Sequence, residues 1–359
     1  MLCTPQKIEL KHSRSVKTLS VDSPQISRDL ALDFIKGVLV VAMLAYHAGN
    51  LFILDPGTKS FVLGIVLDFV SGSWLFLCGL LISSSSRRKF AIDPMAVTFR
   101  FWIRATKILV LFFLLNAVIY RYSLIPRPTA SLDLEIIGRI LWYGGGELSS
   151  FEVLIGIAYL LLFAPLLLWL RSFGPVLIGF ILAAGVISVL GGNRLSPNCW
   201  LVYCGLGGVL CGYLLNGSWL HKICETTQCR SIGVALALLG TAAYYTLIAS
   251  YGYTRTDIHV YLLGIACIFF TLYLSHVWLW PNNILDRTLQ LVGRYSLLSY
   301  IGQMALLWGL LSLGKPYLPA SYWLILPIAA CIMVVSIKML DFLLHRSKPL
   351  RATYSAIFG

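Results

Sequence analysis

Charged residues are scarce in this chain of 359 residues, and acidic residues are the scarcest among them. Only 12% of the residues are charged whereas 58% are hydrophobic, and the mean hydropathy is +0.82. A soluble globular domain carries about twice that share of charge. The composition therefore excludes an ordinary soluble protein and indicates a chain whose solvent is largely lipid.

The sequence also lacks the motifs of soluble-enzyme chemistry. It contains no glycine-rich phosphate loop, no Gly-x-Ser-x-Gly elbow and no HExxH helix. Its nine cysteines are scattered, mostly within apolar segments, and none has a convincing zinc-ligand spacing. We therefore predict neither a metal site nor a disulfide framework.

The sequence instead contains many long apolar stretches. A bilayer core needs ~20 apolar residues per helix, and enough such stretches are present to predict an all-α, polytopic membrane protein with about ten transmembrane helices. The predicted spans are 31–53, 61–84, 105–123, 152–171, 174–192, 199–216, 231–251, 258–280, 295–314 and 321–343.

Basic residues indicate how the chain is oriented. Most of the 28 Lys and Arg residues fall in segments that an even number of spans places on the same side as both termini. Positive residues accumulate in the cytoplasm, so both termini are predicted to be cytoplasmic. Orientation and contact with anionic lipid then explain the net charge of +13 without any nucleic acid.

Three domains follow from this plan. Residues 1–26 are polar and lack the apolar core of a signal peptide, so a disordered cytoplasmic tail is predicted there. Residues 27–345 form the membrane domain, and residues 346–359 form a basic cytoplasmic tail.

One histidine stands deep inside the first predicted span. His47 follows Lys36 by eleven residues, which in an α-helix return to within about 20° of the same face and climb roughly 16 Å. Asp33, Lys36 and His47 therefore share a face, with the imidazole near mid-membrane. Charged groups cost ~2.5–3.5 kcal/mol at such depth, so His47 is either a reactive group in a cavity or a structural histidine bonded to another helix. Asp33 and Lys36 are either part of that chemistry or an i,i+3 pair at the interface.

A second polar residue at depth is Asp68, in the outer half of the second predicted span. An acidic group there is expected to line a cavity, where it contacts a substrate or His47. By contrast, His259, His276 and His345 lie near span ends and are interpreted as interfacial.

Several stretches, in chain order, resemble segments of the acyltransferase family 3 membrane proteins. They are Arg28-x-x-x-Leu32-Asp33-x-x-Lys36-Gly37 followed by His47, then Phe76-Leu77-Cys78-Gly79-Leu80-Leu81-Ile82, Arg104-x-x-Lys107-Ile108 and Val292-Gly293-Arg294-Tyr295-Ser296-x-x-x-Tyr300. Lys36 and Lys107 stand where the family has arginine, Cys78 where it has serine, Val110 where it has proline, and Gln303 where it often has histidine. The opening is also similar to that of the heparan-glucosaminide acetyltransferases, and the osmoregulated-glucan succinyltransferases are related.

The resemblance implies an acyltransferase in a bacterial inner membrane. It implies that an acyl group moves from cytoplasmic acyl-CoA, either acetyl-CoA or succinyl-CoA, to a hydroxyl or amine of a carbohydrate or glycan at the outer face, without a metal. Arg104, Lys107 and Arg294 are then expected to bind the phosphates of CoA.

The same resemblance assigns the catalytic roles. His47 is expected either to take the proton of the acceptor or to carry the acyl group itself. Asn50 is expected to orient the imidazole or to polarise the thioester carbonyl. The expected catalytic set is His47, Asp33, Lys36, Asn50 and Asp68.

The rival interpretation is a transporter or flippase for a polar lipid or glycan, in which His47 and Asp68 form a proton relay. Such proteins commonly have two related halves with broken helices, and the sequence shows no repeat between its halves. Membrane lipid is an expected partner in either case, nucleic acid is not, and a homodimer is left open.

Overall fold

Helices make up every regular element of the described chain. The computed structural model describes residues 29–121, 134–143, 151–191, 197–214, 227–251, 258–279, 283–314 and 322–358. In chain order the α-helices are α1 (Leu30–Phe52), α2 (Pro56–Phe61), α3 (Phe69–Ser85), α4 (Arg87–Ile92), α5 (Pro94–Arg121), α6 (Leu134–Tyr143), α7 (Glu152–Leu170), α8 (Gly174–Gly191), α9 (Pro197–Leu214), α10 (Thr227–Tyr251), α11 (Ile258–Leu279), α12 (Ile284–Arg294), α13 (Ser296–Gly314), α14 (Tyr322–Arg346) and α15 (Lys348–Phe358). The predicted all-α class is confirmed.

Each predicted span falls on a helix or on a pair of adjoining helical segments. Six helical stretches of the described chain are long and apolar enough to cross a membrane: Leu30–Phe52, Pro56–Ser85, Pro94–Tyr120, Glu152–Val186, Ser231–Ser250 and Tyr322–Arg346. Shorter apolar helices cover Leu201–Leu214, Val260–His276 and Ser296–Ser312. The chain is therefore a multi-pass integral membrane protein, whereas ten crossings and cytoplasmic termini remain predictions.

Helix α1 packs against five other helices. Asp29 begins it, because its carboxylate accepts hydrogen bonds from the backbone N–H groups of Ala31 (3.0 Å) and Leu32 (3.4 Å). The helix then packs against α3, α11, α12, α13 and α14. Of its membrane-spanning window 56% is buried, close to the 61% of the Pro56–Ser85 and Glu152–Val186 stretches and well above the 22% of α5, α10 and α14. Polar residues on α1 are therefore held against other helices.

Two glycines let α12 lie directly on the first turns of α1. A Cβ atom on Gly37 would overlap the carbonyl oxygen of Leu289, and one on Gly293 would overlap the carbonyl oxygen of Asp33. Only residues without a side chain allow the two backbones to approach so closely. The crossing fixes the short helix α12 beside Asp33 and Lys36.

The second predicted span, 61–84, is not one continuous helix. A π-helical segment, Val62–Val66, follows α2, and the irregular pair Leu67–Asp68 precedes α3. Tyrosine hydroxyls supply hydrogen bonds at this break: Tyr261 donates to the carbonyl of Asp68 (2.7 Å) and Tyr245 to that of Val66 (3.2 Å). Such outside partners make a broken helix tolerable at membrane depth.

The ends of the chain differ in how much is described. Residues 1–26, predicted to be disordered, lie outside the described residues. The basic segment 346–359 includes helix α15, which folds back so that Tyr354 contacts the ring of Tyr295 edge-on at 5.5 Å between centroids. Helix α5 begins at Pro94, eleven residues before the predicted start of the third span at 105, so Arg104 and Lys107 both lie within this helix.

Candidate functional site

Asp33 and Lys36 form an ion pair at the first turns of α1. Lys36 Nζ lies 3.4 Å from Asp33 Oδ1, with the carboxylate buried and the ammonium side chain 22% exposed. The predicted i,i+3 contact is therefore present.

His47 lies farther along the same helix, and one nitrogen of its imidazole ring is buried. Its Nε2 has no hydrogen-bond partner among the described residues, and Tyr46 contacts the ring edge-on at 5.7 Å between centroids. Buried polar atoms are nearly always paired, and the cost of leaving one unpaired is greatest where no water is available. An unpaired imidazole nitrogen inside a helix bundle is thus a candidate for contact with a substrate.

Gln303 shows the same property on the neighbouring helix. It is fully buried on α13, which packs against α1, and neither its Nε2 nor its Oε1 has a partner in the described chain. Ser73 Oγ and Trp74 Nε1 on α3 are also buried and unpaired there. Since Gln303 occupies the position where the resembling family often has histidine, we add it to the candidate site.

Asn50 and Asp68 lie in different environments. The Asn50 side chain is exposed, and its backbone carbonyl accepts a hydrogen bond from Lys59 Nζ (2.9 Å). Asp68 is buried, and its backbone carbonyl accepts a hydrogen bond from Tyr261 of α11. Contact of either residue with His47 remains a prediction.

The predicted phosphate ligands occupy three different environments. Arg104 is exposed on α5. Lys107, one turn later, donates to the carbonyl of Ala356 (2.6 Å) and so caps the C-terminal end of α15. Arg294 Nη1 lies 3.8 Å from Asp341 Oδ1, a carboxylate that also accepts a hydrogen bond from Tyr295. Of the three, only Arg104 has no side-chain hydrogen bond or ion pair within the described residues.

A buried polar cluster that the sequence analysis missed adjoins α1. His276 Nε2 lies 3.0 Å from Asp286 Oδ1, and Gln290 Nε2 donates to the same oxygen at 2.9 Å. The ring of Phe34 contacts the imidazole, with 4.9 Å between centroids. If Nε2–H is taken to donate to Asp286, the buried Nδ1, which has no partner among the described residues, presents its lone pair. This His–Asp pair is chemically able to accept a proton.

His276 lies near the end of α11, as expected, but its side chain is only 12% exposed and pairs with α12, so its position at the membrane interface remains a prediction. The signal that points to the cluster is the short segment 284–294, in which Asp286 and Gln290 are spaced i,i+4 and so share a face. Asn283 begins this helix by accepting a hydrogen bond from the backbone N–H of Asp286 (2.7 Å). The turn that brings Asp286 back to His276 depends on tertiary contacts, which cannot be predicted from the spacing of residues in the sequence.

Neither a metal site among the described residues nor a known relative assigns a function to this chain. In the described ranges no group of three or more His, Cys, Asp or Glu side chains is placed to hold a metal ion. Comparisons with protein-family models, with curated proteins and with solved structures find no match for this chain. Its function must therefore be argued from the residues themselves.

Proposed function

We propose that this protein is a membrane acyltransferase. It transfers an acyl group from cytoplasmic acyl-CoA, either acetyl-CoA or succinyl-CoA, to a hydroxyl or amine of a carbohydrate or glycan on the opposite side of a bacterial inner membrane. The supporting observation is the buried Nε2 of His47, which has no partner among the described residues and lies on the helix whose first turns carry the Asp33–Lys36 pair. The proposal includes ten crossings with both termini in the cytoplasm.

In the direct route, His47 Nε2 takes the proton of the acceptor group as that group attacks the thioester carbonyl carbon. The carbon–sulfur bond breaks and the thiolate of CoA leaves, to be protonated from the imidazolium. In the two-step route, Nε2 attacks the carbonyl carbon first and CoA leaves as the thiolate. The acceptor then displaces the neutral imidazole from the acyl group, and its proton goes to the thiolate of CoA. Both routes need an unprotonated, unpaired Nε2.

The cytoplasmic end of the bundle supplies the charges for the donor. The phosphates of CoA are too costly to bring into lipid, so they stay at this end, where Arg104 is exposed and Lys36 is partly exposed. The uncharged pantetheine arm then extends along α1 toward His47. Gln303 on α13 supplies an amide that can hydrogen-bond to the thioester or to the acceptor.

The alternative function is transport of a polar lipid or glycan. One observation favours it: the break at Leu67–Asp68 puts irregular backbone and a buried carboxylate inside a helical stretch long enough to span the membrane. In that mechanism His47 and Asp68 carry protons and no acyl group moves.

The deciding experiment uses protein reconstituted into liposomes, with labelled acetyl-CoA or succinyl-CoA on one side and a glycan acceptor on the other. An acyltransferase releases CoA and labels the acceptor, and His47→Ala abolishes both while the amount of folded protein stays normal. His345→Ala is the matched control, since the side chain of His345 is 67% exposed. Movement of the glycan across the bilayer without release of CoA would instead establish the transporter.

A further inference from the structure

A cavity of about 630 Å³ lies apart from the residues described so far. It is found where α3, α7 and α9 end and where α4 and α8 begin. Arg87, Arg171, Ser172 and Tyr213 contribute its polar wall, and Leu214 contributes to its apolar wall. The volume is within the range of small-molecule sites, roughly 300–1,000 Å³, and exceeds what a single inorganic anion would fill.

Arg171 is the fixed positive charge of this cavity. The residue is 9% exposed, and its Nη1 donates to both the carbonyl and the hydroxyl oxygen of Ser83 on α3. Its Nη2 donates to the carbonyl of Gly212 on α9 (3.4 Å), and Cζ lies 5.6 Å from the centroid of the Tyr213 ring. No carboxylate of the described residues pairs with this guanidinium. A buried positive charge held only by neutral partners favours an anion nearby.

A second arginine faces the same space. Arg87 lines the cavity, and its charge is close enough to act on Arg171. Two guanidinium groups on the wall of one cavity favour the binding of a phosphate group, with which guanidinium forms charge-assisted hydrogen bonds.

The cavity also adjoins an apolar surface of the bundle. Leu214, on its wall, is 62% exposed. Trp169 and Phe173, which neighbour the lining residues Leu168 and Ser172 in the chain, have exposed rings that contact each other with 5.2 Å between centroids. Aromatic side chains of this kind concentrate at the membrane interface. An occupant that matches both surroundings has a phosphate inside the cavity and an apolar part against the outside of the bundle.

We propose that this cavity binds the phosphate of an anionic phospholipid, whose acyl chains lie along the outer surfaces of α7 and α8. The site depends on insertion into a membrane and is independent of acyl transfer. A bound headgroup joins α3, α4, α7, α8 and α9 at one end of the bundle. It therefore stabilises the assembled protein as well as compensating the charge of Arg171.

The test titrates purified, delipidated protein with phosphatidylglycerol and, separately, with phosphatidylcholine, and measures bound lipid by native mass spectrometry. Arg171→Gln and Arg87→Gln should each weaken phosphatidylglycerol binding by about 10- to 100-fold, the equivalent of one charge-assisted hydrogen bond. Arg100→Gln is the matched control, because Arg100 is an exposed arginine on α5 that does not line the cavity. Its affinity should stay within about twofold of the unmodified protein.

A competition experiment with soluble phosphate compounds tests whether the cavity binds a lipid and not a free phosphate compound. Inorganic phosphate and CoA, added at millimolar concentration, should leave phosphatidylglycerol binding unchanged. Displacement by either compound would overturn the lipid assignment, as would equal binding of phosphatidylcholine or unchanged binding in Arg87→Gln. Since Arg87 is exposed, that variant keeps the proposal testable even if Arg171→Gln does not fold.

Discussion

His276 Nε2 lies 3.0 Å from Asp286 Oδ1, and this pair ties the end of α11 to the start of α12 beside the first turns of α1. The crossing of α1 and α12 through Gly37 and Gly293 holds the pair in place. The end of the proposed site that carries Asp33 and Lys36 is thus built from segments that lie far apart in the chain.

Removing the carboxylate of this pair should destabilise the protein. Asp286→Ala leaves the buried donors of His276 and Gln290 without their acceptor, and each unsatisfied group costs about 1–3 kcal/mol. Thermal unfolding in detergent should therefore show a clearly lower midpoint. Glu135→Ala, which removes an exposed carboxylate on α6, should leave the midpoint unchanged. Equal midpoints for the two variants would show that the cluster does not hold α12.

A single methyl group added at the crossing of α1 and α12 should destabilise the protein. Gly37→Ala and Gly293→Ala should each force α1 and α12 apart, at a cost of at least about 1–3 kcal/mol. Gly302→Ala on α13 is the control, because nothing lies within 4 Å of a Cβ placed there. Alanine favours helix by up to about 1 kcal/mol, so this variant should be neutral or slightly stabilised. Folded yield by size-exclusion chromatography distinguishes the two outcomes.

Arg104→Ala should weaken the binding of acyl-CoA in the proposed reaction. Loss of one charge-assisted phosphate bond predicts a 10- to 100-fold rise in the KM for the donor, at about 1.5–3 kcal/mol, with little change for the acceptor. Arg100→Ala, one turn earlier on α5, provides the comparison. An unchanged donor KM in Arg104→Ala would remove this residue from the donor site.

Two substitutions of Lys36 separate chemistry from helix anchoring. Lys36→Arg keeps the charge and should be close to neutral, whereas Lys36→Met keeps the apolar stem, removes the charge and should lower specific activity strongly. If the ion pair with Asp33 serves only to anchor α1, Lys36→Met instead lowers protein abundance and leaves activity per molecule intact. Activity and abundance are both measured for each variant.

The sequence predicted the features that depend on local spacing. The first span, placed at 31–53, is helix Leu30–Phe52, because the thickness of the bilayer limits where an apolar helix can begin and end. The Asp33–Lys36 contact was also predictable, since residues three apart in a helix are neighbours.

Features that depend on contacts between distant parts of the chain could not be predicted from the sequence. The break before α3 occurs where two tyrosine hydroxyls from α10 and α11 reach the backbone, and no local residue pattern specifies them. The His276–Asp286 pair likewise depends on how the chain turns between α11 and α12. Burial of His47 and Gln303 without partners is a property of the assembled bundle.

The packing of α1 has a consequence for how the protein is made. This helix is synthesised before α12, α13 and α14, three of the helices that pack against it, which begin about 250 or more residues later in the chain. At ~5–20 residues per second, that interval is on the order of ten seconds or more. During this time Asp33, Lys36 and His47 must be sheltered by the insertion machinery or by helices already in place. A ribosome that stalls before α12 therefore leaves a fragment with an uncovered polar helix, the kind of intermediate that membrane quality control would degrade.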